Sequence, residues 1–203
     1  MHLVAGIKRQ GKKVIVGYCN QQMLCLALAK CDAIASRNFL NLRWFQSSHF
    51  ESEKEKTQSR RTTWFYCPQT LSEYKIPFLD IASRMNVLDR MKPQAEMENQ
   101  YSEVLFQANR PTSAEFKEGA AFRHYLHCLS KQCTQLSRSS YSETFNAQIA
   151  MLETAQQLLE ALDELGIRGQ KRDFSDFIDV NRAAILVFDS DYRFSLSNEW
   201  AEL

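Results

Sequence analysis

The spacing of apolar and polar positions changes period several times along the chain, and each change marks an element. From Lys12 to Cys19 the period is two: Val14, Val16 and Tyr18 point one way while Lys13, Ile15 and Gly17 point the other, which predicts a half-buried β-strand. The following stretch, roughly Gln21 to Asp32, contains the unbroken apolar run Met23 to Ala29 and predicts a helix with no wet face along most of its length. Such a helix must be buried on all sides, by a partner chain or by the rest of the protein. Ser36 is a good N-cap before Arg37 to Phe45, a second helix whose first turn exposes amides, a cation and an amide side chain. A helix start of that kind binds phosphate.

The pattern then lapses. Ser47 to Arg61 is polar and of mixed charge, and is expected to be a linker or loop. Thr62 to Cys67 is a β-like run stopped by Pro68. Thr70 to Glu73 has capping-box spacing for a helix that Pro77 interrupts, and a further helix is expected around Phe78 to Met91. Two more capping boxes, Thr112 to Glu115 and Ser140 to Glu143, each open a long run free of proline. In the second run Phe145, Ile149, Leu152, Leu159 and Leu162 recur at helical spacing, and Gly166 stands where a left-handed cap belongs. The chain closes with a short helix at DFSDFIDV and two β-prone runs flanking Asp189 to Asp191, which predict a hairpin.

With 203 residues, 44% apolar and 24% charged, the chain can bury a core as one large domain or two small ones. A net charge of +1 excludes a strong overall positive field, so any basic patch must be local. No early apolar run suits a leader peptide and no stretch approaches the ~20 apolar residues of a membrane span, so a cytoplasmic protein is expected. The six cysteines then read as reduced thiols, and those in or beside the first helix pack as small hydrophobes.

The strand, helix, short turn and helix, with the turn Ile34-Ala35-Ser36-Arg37-Asn38-Phe39, resembles the ribbon-helix-helix family of DNA-binding transcriptional regulators. Two chains of that family pair their strands into an antiparallel ribbon that enters the major groove, and their helices interlock as a dimer core. Carried over by position, the resemblance implies Lys13, Ile15 and Gly17 facing the groove, Lys8, Arg9 and Lys12 attracting the backbone, and Ser36, Arg37 and Asn38 holding phosphate. This chain departs from the pattern where alanine (Ala33 or Ala35) replaces the turn's usual glycine, and where Ile15 and Gly17 lack hydrogen-bonding groups.

Other constellations point to bland readings. His124, His127 and Cys128 share a helical face but have no second ligand pair at zinc-site spacing. Asp173, Asp176 and Asp179 line one face near a helix start, where a solvated acidic run is expected. No phosphate loop, dinucleotide fingerprint, HExxH or nucleophile elbow is present. The expectation is therefore an α+β, mostly helical protein without catalysis, cofactor or metal. Residues 1–46 form a DNA-binding and dimerisation module, 47–61 a linker, and 62–203 a helical accessory domain ending in a hairpin. It would be a homodimeric regulator on double-stranded DNA, of a kind frequent on plasmids, with the accessory domain contacting RNA polymerase, another regulator or a ligand. The alternative is a non-catalytic helical adaptor or inhibitor that binds another protein.

Overall fold

The computed structural model describes residues 1–36 and 62–203, with Lys171 described by its backbone only. The fold is α+β and mostly helical. It opens with α1 (His2–Lys8), followed by β1 (Ile15–Gly17), a 3-10 helix (Gln21–Ala29) and β2 (Ala33–Ala35). A hairpin follows, β3 (Trp64–Cys67) and β4 (Ser72–Lys75), and then α2 (Ile76–Arg84), α3 (Leu88–Met91), α4 (Gln100–Gln107), α5 (Glu118–Leu136), α6 (Tyr141–Asp163) and α7 (Ser175–Glu199). Among the described residues no helix is long and apolar enough to cross a membrane.

The alternation around β1 survives in a shorter strand: Val14 is buried and Val16 half-buried, whereas Lys13, Ile15 and Gly17 are exposed. Its strand partner is β2 of the same chain, paired in parallel with Ile15 beside Ala33 and Gly17 beside Ala35. Ala33 to Ala35 is thus strand where a turn between two helices is expected, and the expected second helix lies outside the described residues, as does the expected linker.

Between the paired strands runs the apolar segment. Asn20 starts it by accepting the Gln22 amide at 2.9 Å, and Lys30 ends it in the left-handed region at φ 53°. It winds as a 3-10 helix for nine residues, long for that conformation. Neighbours on every side hold it, since it packs against α1, α5, α6 and α7. Two side-chain amides bond to carbonyls here: Gln148 of α6 donates to Leu24 O at 2.6 Å, and Gln21 donates to Leu71 O at 3.0 Å. Leu24, Leu26 and Leu28 are consequently buried within one chain, and the core runs unbroken from Val4 to Trp200.

Three local expectations yield to tertiary structure. Ser72 to Lys75 is strand and not a capped helix, because Tyr74 pairs with Phe65 across the hairpin and both are wholly buried. At Thr112, Asp80 of α2 takes the backbone amide at 3.0 Å and the hydroxyl at 2.6 Å, so the capping box never closes and α5 begins only at Glu118. The predicted C-terminal hairpin is helix: α7 continues through Asp189 to Asp191 for 25 residues. It runs antiparallel to α6, tied by Arg182 to Gln156 at 2.6 Å and by Tyr141 to Asp189 at 3.1 Å. On its other side α1 lies along it, with His2 edge-on to Phe188 and Tyr192 and Arg9 paired to Glu199 at 2.8 Å.

Candidate functional site

The residues implied by the ribbon-helix-helix resemblance separate in space. Lys8 is buried and, among the described residues, both its hydrogen bonds, at 2.9 and 3.0 Å, go to Asp32. Arg9 is committed to Glu199 through two bonds of 2.8 Å. Lys12, Lys13, Ile15 and Gly17 stay on the surface, and Ile15 is 73% exposed. Ser36 is half-buried, and its hydroxyl oxygen lies inside the protein without a hydrogen-bond partner among the described residues. Arg37 and Asn38 lie outside the described residues.

The His124, His127 and Cys128 triplet falls on α5, where the two outer members enter the core. The carbonyl of Tyr66 can only accept, so His124 carries its proton on Nε2 and donates at 2.7 Å. The bare Nδ1 then accepts from Asn99, 2.9 Å away, while the same Asn99 caps α4 by accepting from Tyr101 and Ser102. Phe65 stacks on the imidazole with ring centres 5.0 Å apart. Burial lowers the His124 pKa to about 4 and pushes the Cys128 thiol up to about 12. Both groups are therefore neutral near pH 7 and act as structure, joining β3, the start of α4 and α5. Among the described residues no cluster of His, Cys, Asp or Glu is arranged to hold a metal ion.

This neutral histidine gives a pH-dependent stability with a definite sign. The unfolded chain protonates near 6.5 and the folded chain only near 4, so between these values the unfolded state binds more protons. The contribution is complete above pH 6.5 and is lost as pH falls through 4, at a slope of up to about 1.4 kcal/mol per pH unit. Urea midpoints at pH 7, 6 and 5 should fall in that order, and His124→Gln should remove this component of the slope. An equal slope in the variant would assign the effect to other groups.

A cleft of about 610 Å³ lies between the 3-10 helix, β2, α5 and Trp200. Leu26, Ile34 and Leu126 supply apolar wall, while Lys30, Cys31 and Cys133 supply the groups with chemical potential. Burial pushes both thiols up, and the Lys30 ammonium, its pKa lowered by burial and by Lys8, sits 4.9 Å over the Trp200 ring and donates to the Trp200 carbonyl. The thiols are thus protonated at neutral pH and the ammonium is occupied in closing the fold. The acidic run behaves similarly: Asp173 accepts the Gly169 and Ser175 amides, each at 2.9 Å, and Asp179 pairs with Arg182 at 3.0 Å.

The feature that sequence reading missed is the outer face of α7. Val180, Val187 and Phe194 recur every seven residues and are 63%, 58% and 84% exposed. At 100° per residue they fall within a band about 40° wide, with exposed Ala183, Ala184, Ser190 and the carboxylate of Asp191 between them and Leu186 on one flank. The seven-residue recurrence is visible in the sequence, but splitting the segment into a short helix and a hairpin hides it.

Comparison with family models, with curated proteins and with solved structures finds no match for this chain.

Proposed function

We propose that the chain is a non-catalytic helical adaptor or inhibitor that binds another protein through the outer face of α7. The observation that carries this reading is the exposed apolar stripe Val180, Val187 and Phe194 on the chain's longest described helix. An apolar row at seven-residue spacing is one of the two rows with which a helix meets another helix, the small Ala183 and Ser190 standing in the second, and water is a poor neighbour for it. Supporting the absence of catalysis, His124, Cys128, Lys30 and Asp173 are each taken up by the fold itself.

Native size in extract of cells that make the protein tests the reading. The wild-type chain is expected above its own 23.6 kDa, and Phe194→Asp is expected at its own mass with unchanged helicity. A wild-type chain that runs at its own mass, or a variant that stays in the complex, would remove α7 as the contact surface.

A DNA-binding regulator is the second reading, and one observation favours it: Lys12, Lys13, Ile15 and Gly17 are all directed outward around β1. Against it, Lys8 and Arg9 already neutralise carboxylates. On this reading binding to duplex DNA weakens steeply with salt, and Lys12→Ala with Lys13→Ala flattens the slope by about two phosphate contacts. The adaptor reading expects no salt-dependent affinity for either protein.

A further inference from the structure

Resting on the protein-binding reading, we infer that the partner on α7 is a second copy of this chain, packed antiparallel about a two-fold axis at Val187. The stripe is self-complementary about that residue. Val180 stands seven positions before it and Phe194 seven after, so an antiparallel copy sets each Val180 against the other copy's Phe194 and Val187 against itself. Ala183, Ala184 and Ser190 keep most of the intervening surface low, and the two-fold sets the exposed Asp191 over the other copy's Ala183 and not over its own copy.

Charge selects the direction. Asp176 and Asp179 lie at the N-terminal end of the stripe, and Asp179, although paired with Arg182 on its own helix at 3.0 Å, keeps 90% of its side chain exposed. Toward the other end Arg193, held on Asp189 by bonds of 3.0 and 2.5 Å, keeps 65% of its side chain exposed. A parallel pair would stack Asp176 and Asp179 on their own copies. An antiparallel pair brings Asp179 toward the other copy's Arg193 on both sides, and the two helix dipoles oppose. Asp179, Leu186 and Arg193 share one flank of the helix, so the same two-fold brings Leu186 against its own copy between the charge pairs. The stripe from Val180 to Phe194 is about 21 Å long, which places the contact at the small end of specific interfaces.

Engineered cysteines on the purified full chain test both partner and direction. The native thiols are all buried or half-buried, so wild-type protein under the same oxidant sets the background. Val187→Cys should cross-link to itself. Val180→Cys alone and Phe194→Cys alone should not, but their mixture should. In sedimentation, wild type should approach twice 23.6 kDa with rising concentration, and Val187→Asp, at an exposed site, should weaken association about 30-fold or more. Self-cross-linking of Val180→Cys would overturn the antiparallel arrangement. A purified chain that stays monomeric would overturn the second copy as partner. The protein-binding reading fails separately, if the chain runs at its own mass in extract as well.

Discussion

Replacing Asp32 by alanine should cost the fold about 2–4 kcal/mol, a loss out of proportion to a half-exposed loop residue. The reason lies with its partner. The Lys8 side chain is only 5% exposed, and its ammonium has both described hydrogen bonds on the two Asp32 oxygens at 2.9 and 3.0 Å. One of those oxygens also accepts the Val14 amide at 2.7 Å, which orients the chain entering β1. That amide first and Lys8 second hold the Asp32 carboxyl below the usual carboxylate range. Removing the carboxylate leaves a cation inside the protein and a backbone donor unpaired. The figure sits low in the range for broken buried pairs because the Asp32 side chain keeps 31% of its surface in water. Urea unfolding of Asp32→Ala, Lys8→Met and the double variant checks the argument. The double variant should recover much of the loss, because no buried charge then remains. A loss below about 1 kcal/mol in Asp32→Ala would mean that the ammonium reaches water when its partner is gone.

Leu28→Ala should destabilise by about 2–5 kcal/mol without changing the oligomeric state. Leu28 is completely buried at the end of the 3-10 helix, in a core built by α1, α5, α6 and α7 of the same chain. Truncation leaves a hole that those long helices can fill only in part. The all-apolar run from Met23 to Ala29 is the segment that the sequence nominates as a dimer core, so the oligomeric readout decides between the two roles. An interlocked dimer would dissociate at lower concentration in the variant. A chain that buries the run internally loses melting temperature while its association is unchanged. Dissociation with the monomer's melting temperature preserved would restore the N-terminal dimer interface.

How much was legible depended on how local each cause is. The start of α6 reads directly from Ser140 to Glu143, and the Ser140 hydroxyl does accept the Glu143 amide, at 3.2 Å. Gly166 has the positive φ, 73°, that its place after that helix demands. The alternation from Lys13 to Gly17 also gave the correct faces of β1. The same type of signal failed at Thr70 and Thr112, where a residue far along the chain or across a hairpin took the groups a cap would use. The terminal segment failed for a different reason. A short apolar run such as Ile185 to Phe188 fits a strand or a buried helix turn equally well by periodicity. Only the wider spacing of Ile178, Ile185, Phe188 and Leu196, all buried in α7, separates the two.

By itself the sequence determined the mostly helical α+β class, the strand faces near Lys13, the N-cap of α6 and the fact that Met23 to Ala29 must be enclosed. These follow from side-chain period, cap chemistry and the cost of wetting apolar surface, all properties of residues close together in the chain. Tertiary structure alone decided what does the enclosing, that β1 pairs with β2, that Lys8 meets Asp32, and that His124 is a neutral strut between Asn99 and Tyr66. It also decided which face of α7 is left to water, because that depends on where α1 and α6 come to lie against the helix. Partners distant in sequence leave no period behind them, so burial, pairing and the exposed stripe became visible only once the chain had folded around its own apolar segment.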